Sequence, residues 1–224
     1  KKKKLLTRLK ILLFILLFIF DIKNILSQES ILSKGDCLDV ELNPVAIDKE
    51  EVRTISCTYN NLRLLNVYVV NGKSVGSDKY QHKLKWLKKL NNYCKSSLTE
   101  YKNFMVLGDF NIAPTDADVF DIESTKDQIL CSADERKSFN SLLKLGLHDL
   151  FDKFDFSPQT FTWWDYRAGA FHRNIGYRID HILASKSVLD GCKSFTIDKE
   201  TRHKSWCKEE PRTSDHAPVR VELS

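Results

Sequence analysis

The sequence has 224 residues, of which 42% are hydrophobic and 29% are charged. This length suits one large domain with its own core and excludes a small disulfide-stapled protein. The composition excludes a disordered chain and a multi-span membrane protein. The 35 Lys and Arg residues against 30 Asp and Glu residues give a net charge of +5, a mild excess that suits a polyanionic partner without identifying one.

The cysteine pattern favours reduced thiols. No C-x-x-C pair occurs and no histidine stands at a zinc-ligand spacing, so neither a disulfide framework nor a zinc site is predicted. We therefore expect a cytoplasmic protein. The six cysteines are Cys37, Cys57, Cys94, Cys131, Cys192 and Cys207.

Residues 1–30 are interpreted as a leader, and residues 31–224 as the folded domain. The basic Lys1–Lys4 and the ten apolar residues of Ile11–Phe20 are also typical of a signal peptide or an uncleaved anchor, so secretion or membrane anchoring through residues 1–20 is the alternative location. The apolar run is well short of the roughly 20 residues that span a bilayer, and no small-residue cleavage site follows it. Its restricted alphabet and the absence of an initial methionine favour a fortuitous leader on a fragment.

Apolar periodicity predicts the elements of the first half. Arg63–Val70 is rich in Leu and Val and ends at an Asn-Gly pair, which predicts a buried strand and a turn. Apolar residues at three- and four-residue steps predict an amphipathic helix over Tyr80–Leu98, with lysines on its other face. The apolar Phe104–Leu107 is predicted as a short strand that stops at Gly108.

The second half continues the alternation. Ser132 and Glu135 have capping-box spacing, which predicts a helix that ends at Gly146. Ile179–Leu183 and Val219–Val221 are predicted as later strands. Interleaved strands and helices without a linker indicate one α/β domain.

Polar residues follow one of these strands directly. Asp109 and Asn111 are spaced by two, so both side chains leave the same face of an extended backbone. Gly108 allows a ligand or another backbone to come close. In isolation the pattern fits a turn with Asx hydrogen bonds equally well.

A carboxylate and an imidazole stand near two other strands. Asp180 has an isoleucine on one side and lies in a predicted strand, so its carboxylate needs a partner, and His216 is the candidate. Asp215 stands beside His216 just before the last strand. Taken alone, Asp180 fits a surface residue of an edge strand equally well, and Asp215 with His216 fits a solvated pair.

Together, in this order, the motifs resemble the exonuclease III and apurinic/apyrimidinic (AP) endonuclease family of the endonuclease/exonuclease/phosphatase superfamily. The motifs are Tyr68-x-x-Asn71-Gly72, Gly108–Asn111 (GDFN), Thr160–Arg167 (TFTWWDYR), Tyr177–Leu183 (YRIDHIL) and Ser214–Pro218 (SDHAP). The resemblance covers residues 31–224, starting from an Ile31–Lys34 strand.

The resemblance implies an α/β protein, part of a four-layer α/β/β/α sandwich in which two packed mixed sheets are flanked by helices. The family's first strands, one of which carries a glutamate metal ligand, are expected to be absent here. Gln28-Glu29-Ser30 adjoins Ile31 directly, so its likeness to the glutamate segment is treated as coincidence and Glu29 is not assigned as a ligand.

The activity implied is hydrolysis of DNA phosphodiesters with Mg²⁺ or Mn²⁺, by an abasic-site endonuclease and 3′-5′ exonuclease of base excision repair. The implied partner is double-stranded DNA with abasic sites or 3′ ends, bound by a monomer with no stable membrane partner. The alternatives are another phosphoesterase of the superfamily or an inactive truncated remnant.

The family also implies residue roles. Asp109 orients or deprotonates the attacking water, Asn111 supports it, and Tyr68 donates its hydroxyl to the phosphate. Protonated His216, held by Asp180, stabilises the phosphoryl group. The implied catalytic residues are Tyr68, Asp109, Asn111, Asp180 and His216. The implied metal ligands are Asp215, Asp109, Asn111 and His216.

The W-W-D-Y-R segment is the strongest indication of substrate, because by resemblance it separates abasic-site enzymes from sphingomyelinase-like and inositol-phosphatase-like relatives. Neighbouring side chains of a strand alternate between faces, so at least one of Trp163 and Trp164 is expected to stack on a base, although either alone fits a core equally well. The predicted DNA contacts are Asn71, Trp163, Trp164, Arg167 and Arg178.

Overall fold

The computed structural model describes residues 30–48, 51–203, 205–206 and 213–224. The predictions made for residues 1–29, including the leader and its membrane alternative, lie outside these ranges. Within them, no helix is both long enough and apolar enough to span a membrane.

Strands and helices alternate along the described chain. The strands are β1 (Leu38–Leu42), β2 (Thr54–Tyr59), β3 (Leu62–Tyr68), β4 (Phe104–Asp109), β5 (His148–Asp149), β6 (Asp180–Ala184), β7 (Cys192–Ile197) and β8 (Val219–Leu223). The α-helices are α1 (Asp78–Glu100), α2 (Ile122–Thr125), α3 (Ala133–Lys144) and α4 (Lys186–Gly191).

Both predicted helices are present, and a serine side chain caps the start of each. The Ser77 hydroxyl accepts the N–H of Tyr80 at the start of α1, which is two residues longer at each end than predicted. Ser132 and Glu135 form the predicted capping box of α3. Both caps satisfy backbone donors that have no partner within the helix.

The strands form two sheets. Six strands in the order β1-β2-β3-β4-β6-β5 make a mixed sheet in which only β3 and β4 run parallel, and β7 and β8 form an antiparallel pair. A parallel pair needs a crossover, and α1 supplies it between β3 and β4. Placing β4 between β3 and β6 brings the predicted polar motifs together.

Both faces of the large sheet are covered at β3, β4 and β6, whose successive side chains point to opposite faces, whereas β1 is exposed. One face packs on α1 and α3 through Leu65, Val67, Phe104, Val106, Leu183, Trp86, Leu90 and Phe139. The other packs on β7 and β8 through Leu62, Leu64, Met105, Leu107, Ile182, Phe195, Val219 and Val221. Helices, sheet and second sheet match three of the four predicted layers.

The mixed α/β fold is therefore confirmed, with two differences. Ile31–Lys34 is not a strand; the first strand within the described ranges starts at Leu38. The described part of the second sheet is purely antiparallel instead of mixed.

Candidate functional site

Three predicted side chains lie in a row across one end of the large sheet. Tyr68 ends β3, Asp109 ends β4 and Asp180 begins β6. The Cα partner of Tyr68 is Asp109, and the Cα partner of Asp109 on the other side is Asp180. Directly opposite residues project from the same face of a sheet, so these distant groups become neighbours.

The backbone at the end of β4 depends on a glycine. Gly108 has a φ of +135°, and a Cβ added there would lie 2.0 Å from the carbonyl oxygen of Val67. The expectation that Gly108 allows close backbone approach is confirmed. Beyond it, Asn111 adopts the left-handed region with a φ of +50°, which turns its side chain back toward Asp109.

Hydrogen bonds fix the Asp109 carboxylate. Its Oδ1 accepts the backbone N–H of Asn111 at 2.8 Å and its Oδ2 accepts Asn111 Nδ2 at 2.9 Å. Asn111 Oδ1 in turn accepts Asn71 Nδ2 at 3.0 Å. The Asx hydrogen bonds that the sequence offered as the alternative to a functional site are therefore present, and they orient the Asp109 carboxylate within the site.

The expected contact between Asp180 and His216 is present. His216 Nδ1 lies 3.1 and 2.9 Å from the two carboxylate oxygens of Asp180. Asp180 is only 1% exposed. The Thr162 hydroxyl oxygen accepts the backbone N–H groups of Ile179 and Asp180, both at 3.1 Å. This oxygen fixes the start of β6, and the sequence analysis did not identify it.

The two titratable groups are poised for different roles. Burial raises the pKa of Asp109 to about 7; the His216 cation opposes this shift and Asp180 adds to it. Burial lowers the pKa of His216, but the carboxylates of Asp180, Asp109 and Asp215 outweigh it and raise the pKa to about 9. Near neutral pH the site therefore offers a carboxylate suited to accept a proton and an imidazolium suited to stabilise negative charge.

Replacing Asp180 with Asn should weaken the fold in a pH-dependent way. Burial lowers the pKa of His216, but the surrounding carboxylates, Asp180 foremost, raise it overall from 6.5 to about 9. The stabilisation from the charged imidazole is therefore complete below about pH 6.5 and is lost as the pH rises through about 9. Urea unfolding with a chelator present should show wild type more stable than D180N by up to about 3 kcal/mol near pH 6 and a shrinking difference toward pH 10. A difference that is constant with pH would contradict the pairing.

Trp163 connects the loop before β6 to the Asp215–His216 segment. Its Nε1 donates to Asp215 Oδ2 at 2.9 Å, and its backbone forms isolated bridges to Tyr177 and His216. The ring is half-buried. Trp163 therefore orients Asp215 and keeps part of its surface at the site.

Trp164 points the other way, as the alternation of side chains requires. It is 0% exposed and packs edge-on against the Phe171 ring, with its Nε1 donating to Asn174 Oδ1 at 3.2 Å. The prediction that Trp164 contacts DNA is therefore wrong. The core interpretation applies to this residue.

Replacing each of the two tryptophans with alanine should lower the free energy of unfolding by different amounts. Trp164→Ala should lower the free energy of unfolding by about 3–5 kcal/mol, because it empties a fully enclosed position. Trp163→Ala should cost much less stability, because its ring is only half-buried. Urea unfolding of both variants measures this; equal losses would contradict the assignment of Trp164 alone to the core.

Arg178 is also an interior residue. It is 4% exposed, its Nε donates to Asp118, and its Nη1 donates to Asp149 at 2.6 Å. Its predicted DNA contact is therefore wrong, because both carboxylates hold it inside the fold. Arg167, by contrast, lies on the surface and pairs with Asp165 at 2.6 Å.

The predicted metal ligands do not form a complete site in the described residues. Within residues 30–48, 51–203, 205–206 and 213–224, no group of three His, Cys, Asp or Glu side chains could hold a metal ion. The surrounding carboxylates raise the pKa of His216 to about 9, which favours the imidazolium over the neutral ring that binds a metal, so its role as a ligand stays a prediction. The carboxylate of Asp215 and the oxygens of Asp109 and Asn111 are an incomplete donor set for Mg²⁺.

Lys83 is a further residue that the sequence analysis missed. The lysines of α1 were expected on its solvated face, but Lys83 is fully buried. Its position on the apolar stripe, three residues after Tyr80 and four before Leu87, is the signal that could have found it.

Comparisons with known proteins agree on one relationship. The model described as "Endonuclease/Exonuclease/phosphatase family" matches residues 27–216. Exodeoxyribonuclease III of Haemophilus influenzae is 32% identical over 170 residues, which are 72% of this chain and 61% of that protein.

Two solved structures are similar throughout the fold. The 3′ phosphatase NExo from Neisseria, bound to a product DNA hairpin, is 37% identical with a TM-score of 0.78, covering 86% of this chain and 73% of that one. An AP endonuclease from Archaeoglobus fulgidus is 29% identical with a TM-score of 0.75, covering 84% and 72%. The chain thus spans 61% to 73% of the length of these three relatives.

Proposed function

Because the chain belongs to the exonuclease III/AP endonuclease family of the endonuclease/exonuclease/phosphatase superfamily, we propose that it hydrolyses DNA phosphodiesters at abasic sites and 3′ ends in base excision repair. One observation carries the proposal: Asp109, with a pKa near 7, lies opposite the Asp180 that holds the His216 imidazolium. A base and a cation at adjacent positions suit attack of water on a phosphate.

In the proposed mechanism, Asp109 accepts a proton from water as the water attacks phosphorus. Asn111 holds both oxygens of Asp109 and thereby fixes the direction of proton transfer. The His216 imidazolium faces the charge that develops on the phosphoryl oxygens, and Asp180 keeps it protonated. Tyr68, next to Asp109 in the row, donates its hydroxyl to the phosphate.

A divalent cation, Mg²⁺ or Mn²⁺, is part of the proposal because enzymes of this family generally use divalent metals. When bound, it neutralises charge that develops on the phosphate. Asp215 is the described residue that we propose as a ligand, with Asp109 and Asn111 close to the same site. The orientation of Asp215 by Trp163 supports this role.

The proposed DNA contacts are the accessible members of the predicted set. Asn71 and Arg167 are exposed, and Trp163 keeps part of its ring accessible. Arg167 supplies a cation for a backbone phosphate and Trp163 a ring for a base or an abasic gap. Action as a monomer and a cytoplasmic location stay predictions.

A second candidate is removal of a 3′-phosphate from DNA, because the 37% identical NExo from Neisseria is described as a 3′ phosphatase; another structure of NExo, 38% identical, is described as a 3′-5′ exonuclease. Both reactions use the same base and cation. In both, the 3′-oxygen of the DNA chain leaves phosphorus. They differ in the product that keeps the attacked phosphorus, which is a 5′-phosphorylated strand or nucleotide in one reaction and inorganic phosphate in the other.

One set of assays separates these activities. The purified chain is given duplexes with an internal abasic site, a recessed 3′-hydroxyl end or a 3′-phosphate, each with Mg²⁺, with Mn²⁺ or with a chelator. We expect metal-dependent turnover of at least one duplex. Sphingomyelin and an inositol phosphate are assayed in parallel. Hydrolysis of these two alone would indicate another branch of the superfamily, and no turnover by a folded protein would indicate an inactive remnant.

A further inference from the structure

A charged side chain is enclosed directly beneath the candidate site. Lys83 of α1 is 0% exposed, and its Nζ donates to the backbone carbonyl oxygens of Asn71 at 3.1 Å and Asn111 at 2.7 Å. Its third partner is the carboxylate of Glu135. An ammonium group has three donors, and here each meets one acceptor from a different segment of the chain.

Glu135 is itself held on several sides. It is 0% exposed and its carboxylate accepts the backbone N–H groups of Leu130 at 3.2 Å and Ser132 at 3.1 Å. The Ser132 hydroxyl also donates to it at 2.7 Å. The carboxylate is thus a fixed counter-ion, and Lys83 gains a fixed position through it.

The two carbonyls that Lys83 binds belong to the two residues whose amides meet at the site. Asn71 Nδ2 donates to Asn111 Oδ1 at 3.0 Å, and Asn111 Nδ2 donates to Asp109 Oδ2 at 2.9 Å. Asn111 also adopts the left-handed conformation, which asparagine tolerates better than most residues and which turns its backbone carbonyl toward Lys83 Nζ at 2.7 Å. Lys83 therefore connects the loop after β3 to the loop after β4 through their backbone carbonyls, while the side-chain amides of Asn71 and Asn111 connect the same two loops directly.

We propose that Lys83, with Glu135 as its counter-ion, is a positioning residue for the hydrolytic reaction. It sets the spacing between the Asn71 and Asn111 backbones, which aligns the amide chain and fixes the rotamer of Asp109. The inference rests on the proposed function, because it assigns Lys83 to the same site. Lys83 itself does not touch the substrate.

The test compares Lys83→Met with the double variant Lys83→Met/Glu135→Met and with Lys85→Met, an exposed lysine on the same helix. Lys83→Met leaves the Glu135 charge buried without a partner and should lose stability, whereas the double variant removes both charges and should recover most of it. Both should show a kcat lowered roughly tenfold to a hundredfold with KM little changed, because misplaced reacting groups cost rate more than binding. Lys85→Met should match wild type.

A second readout does not depend on activity. The side-chain amide NMR signals of Asn71 and Asn111 should shift in both Lys83 variants and stay in place in Lys85→Met. Unshifted amides, or a double variant with the kcat of wild type, would overturn the positioning role. If the amide signals shift in both Lys83 variants but the wild-type protein hydrolyses none of the DNA substrates, the proposed function is contradicted. The arrangement that Lys83 imposes on Asn71 and Asn111 is then still supported.

Discussion

Replacing Asp109 with Asn, or His216 with Ala, is expected to lower the rate of DNA hydrolysis by at least about a hundredfold. This is the effect typical of removing a positioned base or an electrostatic group from a reaction centre. Asn keeps the shape of Asp109 but cannot accept the proton of water. Steady-state rates on the best of the three duplexes measure the effect, with the exposed Asp155→Asn as the matched control.

Stability distinguishes lost chemistry from lost structure in these variants. Burial raises the pKa of Asp109, so its charge costs stability as the pH rises through about 7, and Asn removes this cost. Asp109→Asn should therefore unfold no earlier than wild type at neutral pH. Near-normal hydrolysis in both variants would rule out the proposed roles.

Replacing Gly108 with Ala is expected to destabilise the protein by more than about 4 kcal/mol or to prevent folding. The new Cβ would stand 2.0 Å from the Val67 carbonyl oxygen, and that oxygen belongs to the neighbouring strand and cannot move away alone. The φ of +135° adds backbone strain. Urea unfolding or, failing that, the yield of soluble protein measures the effect.

Gly146→Ala measures the cost of backbone strain without a steric clash, which Gly108→Ala combines. Gly146 also has a positive φ, +101°, but nothing lies within 4 Å of an added Cβ. Its loss should be limited to about 1–3 kcal/mol. Equal losses at the two glycines would contradict the role of the Val67 contact.

The sequence predicted the elements that depend on local information. The periodicity of α1, the capping box of Ser132 and Glu135 and the apolar run of β4 act over a few residues, so they are visible in the chain. β1, β2, β5 and β7 were not predicted. The sequence of β2 mixes serine, threonine and cysteine with a single isoleucine, so it lacks the apolar run that identified β3 and β4. The order in which strands join the sheet is a property of distant segments, and the row of Tyr68, Asp109 and Asp180 follows from it.

The site contacts that were predicted correctly are likewise those that the local sequence indicates, and the misjudged residues depend on contacts between distant segments. The pair Asp180 and His216 was expected because a carboxylate in an apolar strand needs a partner. Arg178 and Lys83 were misjudged because basic residues are mostly solvated, and only the fold brings them carboxylates from other segments. Trp163 and Trp164 were known to point apart, but which one faces inward depends on the register of a loop.

The candidate site also has a consequence for the order of folding. Tyr68, Asp109 and Asp180 belong to the large sheet, whereas His216 stands at the entry to β8 of the second sheet. The imidazolium reaches Asp180 only after the two sheets have packed together, a late event because it joins remote parts of the chain. A chain in which β8 has not yet formed therefore has the Asp109 carboxylate without the His216 imidazolium, so the candidate site is complete only after the last described strand has joined the fold.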